Sequence, residues 1–458
     1  MKTFSINTLG CKVNQYESQQ IRELLERFGL DQVETSQETD LVVVNTCCVT
    51  HTASAKSRQY IRKVQRLSPD ATIVVCGCLP IVQIGELNDT GENAYLIRHR
   101  DDLATTLSRI VNGKATTPES QGLQSRQNTI IKTESNSKVK CKNNLATRPE
   151  LPQLTVFKGQ TRAFLKIQDG CDGYCTYCIV PKTRPFVHSK PADELLREAS
   201  ALVEAGHKEI VVTGVFLGAY GQRTVRRKNW PNQQNDKLAD LLDRMAQVPG
   251  LARIRLSSLE PDDVTARLLE TFCKHRNIMP HLHLSLQSGS DEILKKMCRQ
   301  YSADDFRDKV ELIKSRLNRP AITTDIIVGF PTETDADFEQ TINLAKEVGF
   351  AKIHVFTFSP RKGTAAASMQ DTVDTKVIKE RSRTLRDLDR ELQSGFRQQF
   401  IGATAEVLLE NSTNQPHGRA ERYFIVEIRN SPKYSKKNDL LKVSLIDNGP
   451  DCMIGELR

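Results

Sequence analysis

Short β-branched apolar runs alternate with amphipathic stretches over the first hundred residues. Thr3–Thr8 predicts a strand, and Glu17–Phe28 predicts a helix closed by Gly29. The run Leu41-Val42-Val43-Val44-Asn45-Thr46 has the composition of a strand buried on both faces. A helix over Ala53–Leu67, stopped near Pro69, and a strand over Thr72–Cys76 follow. This β-α-β-α-β order implies a parallel sheet with helices on its faces, of the Rossmann or flavodoxin-like kind.

From about Asn112 to Gln153 the pattern stops, and Thr, Ser, Gln, Asn and Lys dominate. Such a stretch buries little surface and reads as a polar linker over 112–156. Its Lys132, Lys138, Lys140 and Lys142 keep it solvated, or touch nucleic acid. Alternation resumes at Phe157, with strands expected over Ala163–Ile167, Glu209–Thr213, Arg253–Leu256, His281–Leu286, Thr323–Val328 and Ile353–Thr357. Helices such as Ala192–Ala205 and Ala336–Val348 lie between them. Six β-α steps predict a partial (β/α)6 barrel rather than a closed eight-stranded one. A charged helix over Thr375–Phe400 then leads into a β-rich tail, Ala403–Arg458, the size of a small all-β barrel. The expected division is 1–111, the linker 112–156, a core over 157–393 and a tail domain over 394–458. At roughly 150 residues per domain, three folded parts suit 458 residues.

Composition narrows the class. Apolar residues make up 38% and charged residues 26%, which excludes a wholly disordered chain. No apolar run approaches the ~20 residues of a membrane span. The start, Met1 to Asn7, lacks a signal-peptide pattern, so a cytoplasmic location is expected. A net charge of +9 favours a polyanionic partner, although a solvated basic surface accounts for it equally. The 12 cysteines are too sparse for a disulfide scaffold, and in a reducing compartment they ligate metal or do chemistry.

Their positions carry the chemistry. Gly170-Cys171-Asp172-Gly173-Tyr174-Cys175-Thr176-Tyr177-Cys178 has the spacing C-x3-C-x2-C directly after the first core strand. Three thiolates on one loop hold three irons of a 4Fe–4S cubane and leave the fourth open to a cofactor. Structural zinc is the alternative, but it takes four ligands and this loop offers no evident fourth. Three more cysteines, Cys11, Cys47 and Cys78, follow the three N-terminal strands. In a parallel sheet those strand ends share one edge, where α/β folds place ligands, so a second 4Fe–4S cluster is expected there. Cys48 beside Cys47, and Cys76 on the strand face of Cys78, are competing ligands, although the Asn-Thr-Cys and Gly-Cys contexts favour Cys47 and Cys78. Cys141, Cys273, Cys298 and Cys452 read as structural or incidental.

The Cys171–Cys178 loop resembles that of the radical S-adenosylmethionine (SAM) enzymes. That resemblance implies that the open iron chelates the methionine moiety of SAM, and that the reduced cluster cleaves SAM to a 5′-deoxyadenosyl radical. With Gly10-Cys11, Asn45-Thr46-Cys47, Gly77-Cys78, Ser285-Leu286-Gln287-Ser288-Gly289-Ser290, Asp325 to Pro331 and Phe358 to Thr364, nearly the whole chain resembles the methylthiotransferases. Gly418-Arg419-Ala420-Glu421-Arg422-Tyr423 looks like the TRAM module, a small RNA-binding barrel. Gly10-Cys11-Lys12-Val13-Asn14-Gln15-Tyr16-Glu17 is similar to the branch that modifies N6-threonylcarbamoyladenosine at position 37 of tRNA.

The resemblance implies two 4Fe–4S clusters, SAM as radical source and methyl donor, a tRNA substrate, an electron donor and a sulfur source. SAM is then expected across the core strand ends, touching Gly214, Ser257, Gln287 and Asp325. His281 and His283 share one face of their strand as lumen polar groups or packed histidines. Arg419, Arg422 and Tyr423 are expected to contact RNA, although a Tyr-Phe pair in a strand is also a common core feature. A monomer satisfies all of this. Three departures from the family pattern stand out: the additional thiols Cys48 and Cys76, the Gln222–Asp236 insertion, and Leu96-Ile97-Arg98-His99-Arg100 in place of a Gly-containing turn. Rival readings are a methylthiotransferase for isopentenyladenosine or a ribosomal-protein aspartate, and a non-catalytic, zinc-containing RNA-binding protein.

Overall fold

A computed structural model describes residues 1–34, 39–87, 93–113, 150–232, 234–413, 415–430 and 435–458. Lys132, Lys138, Lys140, Cys141, Lys142 and most of the expected linker lie outside the described residues. The chain divides into two compact units, Met1–Cys48 with Thr52–Gln153, and Val49–His51 with Leu154–Arg458.

In the first unit five strands, β1 (Thr3–Thr8), β2 (Asp31–Gln32), β3 (Leu41–Thr46), β4 (Thr72–Gly77) and β5 (Ala94–Leu96), form one sheet in the order β2-β1-β3-β4-β5. Every neighbouring pair is parallel, as the alternating pattern requires. Leu41, Val42, Val43 and Val44 are fully buried because β3 is central and covered on both faces. The helix Lys12–Arg27 begins at Cys11 and packs Ile21 and Leu25 against Phe4, Val43 and Val74. It starts five residues before the expected Glu17, because its first turn is polar in sequence yet buries Val13, Asn14 and Tyr16.

The second unit holds β6 (Ala163–Asp169), β7 (His188–Ser189), β8 (Glu209–Gly214), β9 (Arg253–Leu256), β10 (Ser258–Leu259), β11 (His281–Leu284), β12 (Ala321–Val328) and β13 (Lys352–Thr357). One barrel sheet is the expectation. The strands form two hydrogen-bonded sheets, β7-β6-β8-β9 and β10-β11-β12-β13, with the chain passing from one to the other at Ser257 and a parallel bridge between Ile254 and Ile278 linking β9 to the segment before β11. All neighbours are parallel except the short β7, which runs antiparallel along β6. The tail strands β14 (Thr404–Asn411), β15 (His417–Ala420), β16 (Ile425–Arg429), β17 (Leu440–Asn448) and β18 (Met453–Leu457) close into a five-stranded barrel. Val407, Leu409, Val426, Val443 and Met453 fill it and are fully buried.

The tail is joined to the core sheet by charge. Arg253 and Arg255, on alternate positions of β9, are buried, and Arg255 Nε donates to Glu209 Oε1 at 3.0 Å. Beyond Glu209, Arg253 Nη1 donates to Arg419 O at 3.0 Å and Arg255 Nη1 to Glu421 O at 3.0 Å, both carbonyls of the tail. Burial alone would raise the Glu209 pKa, but Arg255, Arg162 and Arg253 overcome it and hold the carboxylate below its ordinary range. Removing this single anion strands buried cations. Glu209→Ala is therefore expected to cost about 3–5 kcal/mol, read as a lowered denaturant midpoint of the holoprotein.

Candidate functional site

Three cysteines of the first unit stand where expected, just past the ends of β1, β3 and β4. The register pairs Thr8 with Asn45 and Thr46 with Gly77, so the three ends are level. Two asparagines tie the loops together. Asn14 donates through Nδ2 to Leu9 O and Thr46 O, each at 2.9 Å, and Asn45 donates to Asn14 O at 2.9 Å and Ser18 Oγ at 3.0 Å. Cys78 N donates to Thr46 O at 3.0 Å, which fixes the third loop on the second. Gly10 has φ +114°, and a Cβ there would stand 2.6 Å from Cys47 Cβ. Only glycine permits this approach of the Cys11 loop to Cys47.

Cys76 sits differently. It packs in the apolar core with Phe4 and Val74, and burial first, then Glu17, pushes its thiol up to about 12. Cys48 is also fully buried, whereas Cys11 is exposed. Arg100 donates through Nη1 to Glu17 Oε1 at 2.7 Å and through Nη2 to Cys78 Sγ at 3.5 Å. It belongs to the 96–100 segment where a Gly-containing turn is expected, so the departure brings a cation to the third cysteine. Nothing in local sequence pattern marks that contact.

In the second unit the 171–178 loop leaves the end of β6 through Gly170, whose φ is +81° and whose Cβ would fall 1.8 Å from Phe186 O. Asp169 anchors the turn, accepting from Gly170 N at 2.8 Å and from Arg184 Nη1 at 2.6 and 2.7 Å. Cys171 N returns a bond to Arg184 O at 2.8 Å. Burial pushes the Cys171 thiol up to about 12; Gly173 N–H, 3.3 Å from its sulfur, opposes this, while Cys178 and Cys175 add to it. Cys175 and Cys178 thus lie near enough to act on Cys171, and all three are half-buried.

Two further elements complete the loop. Asp172 accepts from Thr224 Oγ1 at 2.7 Å and Val225 N at 2.8 Å, and Arg226 lies over the Tyr174 ring at 3.9 Å. The Gln222–Asp236 insertion therefore docks on the cysteine loop. Arg299, largely buried, donates to Cys175 Sγ at 3.2 Å, Tyr301 OH at 3.0 Å and Glu260 Oε1 at 2.6 Å. Burial raises the Cys175 thiol pKa and Arg299 opposes it. The guanidinium is thus placed to offset thiolate charge.

Gly214 closes β8, Ser257 follows β9 and Gln287 lies just beyond β11, at the same strand ends as the cysteine loop. Gln168, at the end of β6, accepts from Phe216 N at 2.7 Å and donates to Gly170 O at 2.8 Å, bracing Gly214 beside it. Gln287 adopts φ +69° and both donates to Asp325 O and accepts from Ile327 N. The Asp325 side chain stands three residues short of the end of β12, close to His283 and His354. The three tail residues make protein contacts. Arg419 donates to Glu410 Oε1 at 3.1 Å and Arg422 to Arg319 O at 2.9 Å, while Tyr423 stacks on His281 at 4.4 Å between ring centroids. Arg419, Arg422 and Tyr423 also line a cavity of about 400 Å³ with Lys352, Arg390 and Arg397.

Comparison with known proteins decides the family. Residues 165–345 match the radical SAM superfamily, and residues 3–97 match a family described as the uncharacterized protein family UPF0004. Over 92% of its length the chain is 36% identical to the threonylcarbamoyladenosine tRNA methylthiotransferase MtaB of Chlamydia pneumoniae, covering 90% of that protein. The chain belongs to the radical SAM methylthiotransferase family. The MtaB of Bacillus subtilis (strain 168) is 33% identical over 98% of this chain and 95% of its own. A tRNA-2-methylthio-N(6)-dimethylallyladenosine synthase of Geobacillus kaustophilus is 32% identical over 100% of this chain and 79% of its own. The radical SAM methyltransferase TsrM of Kitasatospora setae, solved with cobalamin and a 4Fe–4S cluster bound, shares the fold alone, with a TM-score of 0.55, 14% identity, and coverage of 80% of this chain and 74% of that one.

Membership makes the chain an enzyme, which removes the non-catalytic reading. The radical SAM methylthiotransferase loop fits an iron–sulfur cluster by its donor chemistry: three half-buried cysteines, of which Cys175 and Cys178 act on the Cys171 thiol, a backbone N–H on Cys171 and a cation on Cys175. The N-terminal cysteines fit one through the level strand ends and the glycine-permitted approach at Cys47. Among the described residues no helix is long and apolar enough to cross a membrane.

Proposed function

We propose that this enzyme converts N6-threonylcarbamoyladenosine at position 37 of tRNA to its 2-methylthio derivative. The observation that carries the reading is the pair of cysteine triads, one following the ends of three parallel strands and the other on the single loop that leaves the end of β6. Cys171, Cys175 and Cys178 would hold one 4Fe–4S cluster, and Cys11, Cys47 and Cys78 the other. When bound, the first supplies an electron to SAM, and the second supplies or carries the sulfur. The residues around them position and shield. Arg299 and Arg100 set the charge beside one sulfur of each triad, and Asp172 holds the insertion across the 171–178 loop. Gly214, Ser257 and Gln287 offer backbone and polar groups to SAM along a continuous run of strand ends, which we read as one open six-stranded barrel.

The threonylcarbamoyl substrate is favoured by the Gly10–Glu17 motif. Three relatives named for that substrate are 36%, 33% and 35% identical, beside five named for dimethylallyladenosine. The latter, at 32–33% identity, make the dimethylallyl substrate the second reading. Arg419 and Arg422, with Lys352 and Arg390 on the same cavity, are proposed phosphate contacts for the tRNA. An electron donor and a sulfur source complete the partners.

Expressed in a strain lacking 2-methylthio modification, the chain is expected to restore 2-methylthio-N6-threonylcarbamoyladenosine, read by mass spectrometry of digested tRNA. The dimethylallyl product in its place would overturn the substrate assignment.

A further inference from the structure

Below the cysteine loop, the core strands assemble a different donor set. His283 lies on β11, Asp325 on β12 and His354 on β13, three adjacent parallel strands. The register sets His354 beside Asp325 and His283 beside Thr323, and the period of two puts Thr323 and Asp325 on one face of β12. One ligand atom from each of the three lies within 4.8 Å of the other two.

Two details separate this group from an ordinary His–Asp pair. His283 Nε2 stands 3.4 Å from Asp325 Oδ2, and this buried nitrogen makes no hydrogen bond. That gap is long for N–H···O contact, which centres near 2.9 Å. It equals the edge of a tetrahedron whose corners lie about 2.1 Å from a central zinc, roughly 3.4 Å. The other ring nitrogen, Nδ1, pairs with Thr323 Oγ1 at 3.0 Å. A metal-binding histidine is oriented in this way, with its second nitrogen tied so that the first presents a lone pair.

We propose that His283, Asp325 and His354 bind one divalent transition-metal ion, separate from both iron–sulfur clusters. Two imidazoles and a carboxylate suit zinc or iron(II), and three protein ligands leave a position for water or another oxygen ligand. Thr323 is a positioning residue for this site.

Zinc is the probe, because it binds such donors more tightly than iron(II) does. The anaerobically reconstituted protein, its cluster cysteines filled, is dialysed against micromolar zinc and then against buffer, and its metals are counted by mass spectrometry at matched iron content. Wild type is expected to keep one zinc per chain. Asp325→Asn and His354→Gln are each expected to keep none; His354 is exposed, so its replacement leaves the core intact. Thr323→Val is expected to weaken zinc binding about 10- to 100-fold in a competition with a chromophoric chelator. Wild type that retains no zinc, or retains as much as the Asp325→Asn/His354→Gln double variant, overturns the proposal. Neither result bears on SAM cleavage, so the tRNA reading stands or falls separately.

Discussion

Replacing Cys171, Cys175 and Cys178 together by alanine is expected to remove about four irons per chain and to lower reductive SAM cleavage to background. The sulfurs contribute little to holding the loop. Its turn is fixed by Asp169 with Arg184, its middle by Asp172 with Thr224 and Val225, and its end by Thr176, whose backbone N donates to Met297 O. The variant should therefore fold, and a loss of 5′-deoxyadenosine would report missing iron rather than a collapsed loop. Iron analysis beside chromatography of the SAM products checks it. Undiminished cleavage would remove this loop from the chemistry altogether.

The serine variant of Cys11, Cys47 and Cys78 is expected to divide the activity in two. Iron should fall from about eight to about four per chain, SAM cleavage should persist, and methylthio product should vanish. The asparagine ties that hold these loops use backbone carbonyls and side-chain amides, so the substitutions spare them. A preparation that contains near four irons with or without these cysteines would leave only one cluster.

The strand-end placement of Cys11, Cys47, Cys78 and the 171–178 loop was legible because the strands before them have the composition of buried strands. Once β1, β3 and β4 are read as parallel, their ends must share an edge. What escaped is contact at long range. Arg299 reaches Cys175 from a loop 124 residues away, and Arg100 reaches Cys78 across 22. Neither arginine differs in local pattern from a solvated one. The short strands β2, β5 and β7 escaped for another reason: two or three residues give no period to detect. Tyr423 shows the limit of composition at a surface. Its φ of +75° turns the ring toward His281, and no propensity scale anticipates a tyrosine there.

The paired arginines of β9 also bear on how the enzyme would handle a long substrate. Because both guanidiniums end on carbonyls of the tail barrel, that barrel is not a tethered hand free to swing on a hinge. It is a fixed outrigger. Any strand of nucleic acid gripped by it would meet the 171–178 loop at a constant reach, so the spacing between grip and reacting base would be measured by the protein and not searched for.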